Sequence, residues 1–283
     1  MAAPQQTGDQ EIGFCEVGGG RRVAIAVCGA GPPLVLPSWW VSNVEANWGQ
    51  PRFRAFVAGL AQRHRVIRYD RLGSGLSDRR ADDEAATFDA ELRTLEAVVE
   101  QAVPGGAPVD LLGISYGGCL AIAYADHHPR RVRRLVTFGA YAHGEEVAPP
   151  EVRAALLAMV RAHWGLGARV LTQVWLPDAG EDERRELTAY QRSAADPATA
   201  ADLLALAYDA DVRAACARLR LPTLVLHRRD DRAAPLACGR ELAALIPGAR
   251  LLPLDGGAHP PWHGRAAAVV EATLAFLTAA AEQ

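Results

Sequence analysis

The sequence has no long hydrophobic run, no paired-cysteine motif and no strong excess of either charge. No stretch approaches the eighteen consecutive apolar residues of a transmembrane helix, which argues against a membrane-spanning protein. The formal net charge of −3 gives no electrostatic reason to expect nucleic acid or an anionic membrane surface as a partner. Neither kind of partner is therefore expected.

The five cysteines are scattered along the chain, and none belongs to a Cys-x-x-Cys pair. This spacing argues against a zinc site or a disulfide framework and favours a reducing compartment. The polar N-terminal segment MAAPQQTGDQ lacks the apolar core of a signal peptide. We therefore expect a cytoplasmic protein with no metal and no cofactor.

Strand-like and helix-like segments alternate along the chain, except in its middle. Strands are predicted at residues 13–17 and 21–28, as a hairpin, and at 32–37, 65–70, 108–114, 132–139, 221–227 and 249–255; helices are predicted at 51–62, 85–102, 116–128, 235–246 and 264–281. This alternation predicts an α/β fold with a mostly parallel sheet and helices on both faces.

The middle of the chain, residues 142–210, is helical in pattern and has no convincing strand. We interpret it as a cap over the carboxyl edge of the sheet, inserted into a core formed by residues 11–141 and 211–283. Ordinary crossover helices are the alternative, but one crossover needs only about a dozen residues.

The segment LLGISYGGCL places Ser115 between Gly113 and Gly117 at a predicted strand-to-helix junction. Gly-x-Ser-x-Gly in that position is the pattern of a nucleophile elbow, which exposes a serine on a sharp turn. An ordinary tight turn that contains a serine would match the same three positions. In a sheet of this kind the turn would lie at the carboxyl edge, where ligands bind.

A serine hydroxyl becomes a nucleophile at neutral pH when a histidine, oriented by a carboxylate, accepts its proton. The segment LVLHRRDDRAAP places Asp230 and Asp231 just after one predicted strand, and LPLDGGAHPPW places His259 after the next. Taken singly, an aspartate after a strand is usually a cap or turn residue, and His259 could be an ordinary loop histidine. The order serine, aspartate, histidine in three suitable loops favours a catalytic triad.

A triad of this kind needs amide groups that stabilise the negative oxygen of a tetrahedral intermediate. In an elbow the first amide belongs to the residue after the serine, here Tyr116. For the second we predict Trp39 in the loop LPSWWVSN, with Ser38 and Trp40 as alternatives. The segment RYDRLGSGLSDR lacks the third glycine of a dinucleotide-binding loop, so we interpret it as a structural turn at the rim of the site.

Three stretches of the chain resemble α/β-hydrolases: RVIRYDRLGSGLSDR, LLGISYGGCLAIAYADHHPRRVRRLVTFGAYAHG, and PTLVLHRRDDRAAP with the later GRELAALIPGARLLPLDGGAH. The resemblance covers nearly the whole chain apart from residues 1–10 and the cap. It is strongest to the hydrolase domains found beside nucleotide-cyclase or helix-turn-helix regulator domains. It implies an α/β-hydrolase fold with Ser115 as nucleophile, His259 as base and Asp231 as acid.

These features predict a serine hydrolase that cleaves an ester or thioester of a small apolar or aromatic acid through an acyl-enzyme. Because indole rings often line apolar pockets, the expected substrate contacts are the tryptophans of the cap and the rim loops: Trp40, Trp164, Trp175 and Trp262. Packing of the cap onto the core is the alternative role of the cap tryptophans. Carbon–carbon bond hydrolysis, haloperoxidase-like chemistry and a ligand-binding module with little catalysis are the alternative functions.

Overall fold

An eight-stranded sheet forms the centre of the computed structural model, which describes residues 9–79 and 86–279. In chain order its strands are β1 (Glu11–Glu16), β2 (Arg22–Cys28), β3 (Pro33–Leu36), β4 (Arg65–Tyr69), β5 (Val109–Ile114), β6 (Val132–Phe138), β7 (Thr223–Arg228) and β8 (Arg250–Leu254). Their order across the sheet is β1-β2-β4-β3-β5-β6-β7-β8. Strand β2 runs antiparallel to β1 and β4, and every other neighbouring pair is parallel. The predicted α/β fold with a mostly parallel sheet is confirmed.

Helices cover both faces of this sheet. In chain order they are α1 (Val44–Trp48), α2 (Pro51–Ala61), α3 (Phe88–Ala102), α4 (Tyr116–His127), α5 (Pro150–Ala162), α6 (Trp164–Trp175), α7 (Glu181–Ala194), α8 (Pro197–Asp209), α9 (Arg213–Arg218), α10 (Leu236–Leu245) and α11 (Ala266–Thr278). Helices α2 and α11 pack on one face, and α3, α4, α9 and α10 pack on the other. The short helices α1 and α9 were not predicted, because five or six residues give too little periodicity.

The central strand β5 shows why the sequence forms this layered core. Its six residues, VDLLGI, are all buried, as expected for a parallel strand covered on both faces. Successive side chains point to opposite faces, so Leu111 joins one apolar cluster and Leu112 joins the other. Helix α4, which follows, is apolar nearly all round and is buried over ten residues.

Helices α5–α8 lie within residues 142–210, the segment that we predict to be a cap. Hydrogen bonds join them to loops at the carboxyl end of the strands: Trp40 Nε1 to the Ala200 carbonyl (2.8 Å), the Gly75 amide to the Ala194 carbonyl (2.8 Å) and the His259 amide to the Trp175 carbonyl (2.8 Å). These bonds place α6, α7 and α8 over the carboxyl edge, and α5 packs against α6 and α8. The exact limits of core and cap stay a prediction.

The part of the chain that the structure describes contains no helix long and apolar enough to cross a bilayer. Within the same residues, no group of three or more histidine, cysteine, aspartate or glutamate side chains is placed to hold a metal ion.

Candidate active site

Ser115 lies on the sharp turn between β5 and α4 and is the only described non-glycine residue with a positive φ. Its backbone angles are φ 53° and ψ −128°. Such a conformation costs about 1–3 kcal/mol and persists only where neighbouring contacts hold it. The Ser115 amide donates to the carbonyl of Phe138 in β6 at 2.9 Å, which ties the turn to the neighbouring strand.

Glycine is required on both sides of Ser115, because the backbone there packs too closely for a side chain. A Cβ at Gly113 would lie 2.5 Å from the Cα of Gly118, and a Cβ at Gly117 would lie 2.5 Å from the Pro37 carbonyl oxygen. Both distances are far inside van der Waals contact, so any side chain would displace backbone. The contact with Pro37 also brings the start of α4 against the loop after β3.

The imidazole of His259 lies between Ser115 and Asp231. Its Nε2 is 2.9 Å from Ser115 Oγ, and its Nδ1 is 2.8 Å from Asp231 Oδ2. Because a carboxylate only accepts hydrogen bonds, Nδ1 carries the proton and Nε2 is free to accept the serine hydroxyl. The His259 amide donates to the Trp175 carbonyl at 2.8 Å, so the loop that carries the imidazole is joined to α6.

Asp231 follows β7 and is buried, with each carboxylate oxygen bonded. Oδ1 accepts the amides of Ala233 (2.9 Å) and Ala234 (3.2 Å), and Oδ2 accepts His259. Burial opposes ionisation of Asp231, but the neighbouring His259 and these hydrogen bonds outweigh it and hold its pKa below the ordinary value. Asp230 is exposed, and its backbone amide donates to the Gly256 carbonyl at 3.2 Å. The structure therefore places Asp231, rather than Asp230, against the histidine.

The predicted oxyanion donors lie on the two segments that meet beside Ser115. Tyr116 is the first residue of α4, so its amide has no acceptor within the helix. Trp39 lies in the loop that contacts Gly117 through Pro37 and Ser38. Neither amide donates a hydrogen bond to any residue in the described ranges 9–79 and 86–279. The assignment of Tyr116 and Trp39 to an oxyanion hole stays a prediction.

Asp70 and Arg71, which were not predicted to have a role, hold the loop LPSWWVSN in place. The carboxylate of Asp70 accepts the Val44 amide at 2.9 Å, and the buried guanidinium of Arg71 donates to the Trp40 carbonyl at 2.9 Å. Arg71 also pairs with Glu91 at 2.9 Å. Asp70 and Arg71 both belong to the segment RYDRLGSG. Their position beside its glycines was the sequence signal that could have indicated a structural role. Burial raises the pKa of Asp70 to about 6, although backbone hydrogen bonds oppose the rise.

A cavity of about 30 Å³ adjoins Ser115 and His259. Its walls are mainly aromatic and aliphatic, and they include Trp39, Trp40 and Trp262 from the core loops and Trp175, Leu187 and Tyr190 from the helices above. None of the described residues that line it is an arginine. Since one water needs at least about 10–15 Å³, the cavity has room for about two waters.

The structure separates the predicted substrate contacts into two groups. Trp40, Trp175 and Trp262 line the cavity. Trp164 does not: it packs edge-on to Trp40, with ring centroids 5.7 Å apart, and its indole N–H donates to the Ala195 carbonyl at 3.0 Å. The cavity therefore gives no support to Trp164 as a substrate contact.

Leu187 and Tyr190 in α7 were missed as cavity residues. Half of the residues in their helix, EDERRELTAYQRSA, are charged, and this composition predicts only a polar helix. The spacing of buried Leu187, Tyr190, Gln191 and Ala194 follows one helical face. That spacing was the signal that could have found them.

The sheet order, the strained serine turn and the hydrogen bonds from Ser115 through His259 to Asp231 define a class, the α/β-hydrolase enzymes. A family model described as "alpha/beta hydrolase fold" matches residues 32–162. The chain is 34% identical to 2-hydroxymuconate semialdehyde hydrolase of Pseudomonas sp., over 89% of this chain and 88% of that protein. It is 31% identical to pimeloyl-[acyl-carrier protein] methyl ester esterase of Xanthomonas campestris, over 90% of this chain and 98% of that protein. The chain belongs to the α/β-hydrolase family.

Other similar proteins differ widely in size and description. The chain is 32% identical to the polyketide synthase ThaQ of Burkholderia thailandensis over 93% of its own length, but it spans only 12% of that protein. A bromoperoxidase from Bacillus anthracis superposes with a TM-score of 0.83 at 22% identity, over 95% of this chain and 100% of that one. A hydrolase from Pseudomonas aeruginosa superposes with a TM-score of 0.80 at 26% identity, over 95% and 98% of the two chains.

Proposed function

We propose that the protein is a serine hydrolase that cleaves esters or thioesters of a small, uncharged apolar or aromatic acid. The observation that carries this proposal is the position of the His259 ring, 2.9 Å from Ser115 Oγ and 2.8 Å from Asp231 Oδ2. A histidine held in this way can accept the serine proton as the oxygen attacks a carbonyl. The apolar walls of the adjoining cavity support an uncharged acyl group.

In this mechanism Ser115 Oγ attacks the carbonyl carbon while its proton passes to Nε2 of His259. The carbonyl oxygen becomes negative and is stabilised by the amides of Tyr116 and Trp39. Collapse of the intermediate expels the alcohol or thiol, which takes the proton from His259, and leaves the acyl group on Ser115. Water, deprotonated by His259, then attacks the acyl-enzyme, releases the acid and regenerates the serine.

Carbon–carbon bond hydrolysis is the second candidate, since the chain is 34% identical to a 2-hydroxymuconate semialdehyde hydrolase. A muconate-derived substrate carries a carboxylate, for which a bidentate arginine is the usual partner. The described lining of the cavity includes no arginine, which favours the ester or thioester. Haloperoxidase-like chemistry is supported only by the similar fold of the bromoperoxidase, at 22% identity. A non-catalytic ligand-binding role is supported only by the resemblance of the sequence to regulator-linked hydrolase domains.

Turnover of three substrate classes by purified protein tests the proposal: p-nitrophenyl butyrate, a butyryl thioester and a 2-hydroxy-6-oxodienoate. We expect hydrolysis of the ester and thioester and little cleavage of the dienoate. A kcat/KM for the dienoate above that for both acyl substrates would favour the carbon–carbon hydrolase instead. Tight binding of an apolar acid without any turnover would favour the ligand-binding module.

Lengthening the acyl group of a p-nitrophenyl ester from acetate to butyrate should raise kcat/KM by up to about 15-fold. Each buried methylene contributes up to about 0.8 kcal/mol, and two are added. The dependence should flatten in Trp175→Ala, because this indole forms part of the cavity wall. Initial rates over the series of acetate, butyrate and hexanoate measure the effect.

The matched control for this series is Trp164→Ala, which makes the same substitution in the same helix but outside the cavity. It should keep the slope of the wild-type series. A wild-type preference for acetate, or for an acyl group that ends in a carboxylate, would contradict the apolar pocket.

A further inference from the structure

The loop that carries His259 cannot satisfy its own backbone. Residues 258–263 read AHPPWH, belong to no helix or strand, and are buried from His259 to His263. Pro260 and Pro261 have no amide N–H, so the loop is short of donors. Its carbonyl groups still need hydrogen bonds, because an unpaired buried carbonyl is costly. Within the loop the His263 amide donates to the Pro260 carbonyl at 3.2 Å, and donors for the other carbonyls must come from another part of the chain.

The guanidinium of Arg228 supplies these donors. Arg228 is the last residue of β7 and is only 1% exposed. Its two terminal nitrogens donate to four carbonyls of the loop, with short contacts to Ala258 and His263 and longer ones to Pro260 (3.4 Å) and Pro261 (3.5 Å). The planar fork of a guanidinium can reach several acceptors at once, whereas an ammonium acts as a single point.

No acidic side chain explains the burial of this charge. Among residues 9–79 and 86–279, no carboxylate oxygen lies within 4.0 Å of the Arg228 guanidinium. Burial lowers its pKa to about 10, although the charge on Asp231 opposes the shift, so the group stays cationic at neutral pH. A buried, unpaired cation is costly. Here the cost is offset mainly by hydrogen bonds to one loop, with a further contact over the ring of Phe138 at 5.3 Å.

We propose that Arg228 is a positioning residue that sets the imidazole of His259 against Ser115 and Asp231. This inference rests on the proposed serine hydrolase function. Arg228 and Asp231 are three positions apart at the end of one strand, so the same strand end holds the histidine loop and supplies the carboxylate. Because the loop that carries His259 is fixed to the strand end that precedes Asp231, the imidazole keeps its hydrogen bonds to both Ser115 and Asp231.

Arg228→Met should therefore lower kcat for p-nitrophenyl butyrate about a hundred-fold, the loss expected when a catalytic group moves by about 1 Å. KM should change little, because Arg228 does not line the cavity beside Ser115. Arg228→Lys keeps the charge but not the fork, and it should lose less. Arg229→Met is the matched control: Arg229 is the next residue, its side chain is 53% exposed and it pairs with Asp255 at 3.5 Å. This control should keep wild-type kcat.

Chemical rescue separates positioning from a general loss of stability. Guanidinium ion at a sub-denaturing concentration should restore part of the kcat of Arg228→Ala and none of the kcat of Ser115→Ala. Proton NMR gives a second measurement that does not depend on turnover, because the Nδ1 proton of His259 is bonded to Asp231. In Arg228→Met this proton should exchange with water faster than in the wild-type protein, at a temperature where both are folded.

The outcomes distinguish this inference from the proposed function. Wild-type kcat in folded Arg228→Met, or an unchanged exchange rate of the Nδ1 proton, would overturn the positioning role and leave the hydrolase proposal intact. A wild-type protein that hydrolyses no ester or thioester would refute the proposed function, while the exchange rate would still test whether Arg228 holds the imidazole.

Discussion

Replacing Ser115 with alanine should lower kcat for ester hydrolysis about a million-fold, as removal of a triad serine does. The reason is geometric: the Ser115 hydroxyl is the only described nucleophile within hydrogen-bond distance of His259 Nε2, at 2.9 Å. Alanine keeps the Cβ at φ 53°, so the variant removes the oxygen without relieving the turn. Residual turnover should come from the oxyanion amides and from substrate binding.

A fluorophosphonate probe followed by peptide mapping provides the direct measurement. The wild-type protein should carry the label on Ser115, and Ser115→Ala should carry none. Ser77→Ala is a suitable control, since this buried hydroxyl accepts the Ala24 amide at 2.9 Å and lies outside the cavity lining. Label on another residue, or none on folded wild-type protein, would refute Ser115 as the nucleophile.

Asp231→Asn should lower kcat about ten-thousand-fold, whereas Asp230→Asn should leave it nearly unchanged. The Asp231 carboxylate accepts from Nδ1 of His259 at 2.8 Å and so keeps Nε2 free for the serine proton. An asparagine amide can donate to Nδ1, which selects the tautomer that cannot act as a base. Steady-state kinetics of the two variants, with circular dichroism to show that both fold, measure the difference. The reverse ranking would contradict the assignment of Asp231 as the acid.

Stability against pH gives the same pair of variants a second test. Because the folded pKa of Asp231 lies below its ordinary value, the ionised carboxylate stabilises the folded state above about pH 4, the unfolded pKa. That contribution is lost as the pH falls through the folded pKa. Asp231→Asn should therefore have a lower free energy of unfolding than the wild-type protein at neutral pH, and the difference should shrink in acid. Urea unfolding at several pH values measures it, with Asp230→Asn as the control.

Local patterns carried most of the fold prediction. Strand β5, the turn at Ser115 and helix α4 are contiguous, and an apolar run, a glycine-flanked serine and a second apolar run are enough to predict them. Helix ends were predicted less well: the last helix was predicted over 264–281 and is observed over Ala266–Thr278, with residues 280–281 outside the described part of the chain. Local sequence indicates that a helix forms, but it gives only a weak indication of the residue at which the helix ends.

The sequence by itself determined the α/β layering and the order serine, aspartate, histidine. Hydrophobic periodicity depends on neighbouring residues, and the order of residues along the chain is read directly from the sequence. Tertiary structure alone decided which side chains meet. Ser115 and His259 are 144 positions apart, and Trp40 and Ala200 are 160 positions apart, yet each pair is hydrogen-bonded. The placement of Trp175 in the cavity wall and of Trp164 outside it depends on such distant packing. So do the buried bonds of Arg228 to the histidine loop, since no local pattern records which carbonyls a guanidinium reaches once β7 and that loop have folded together.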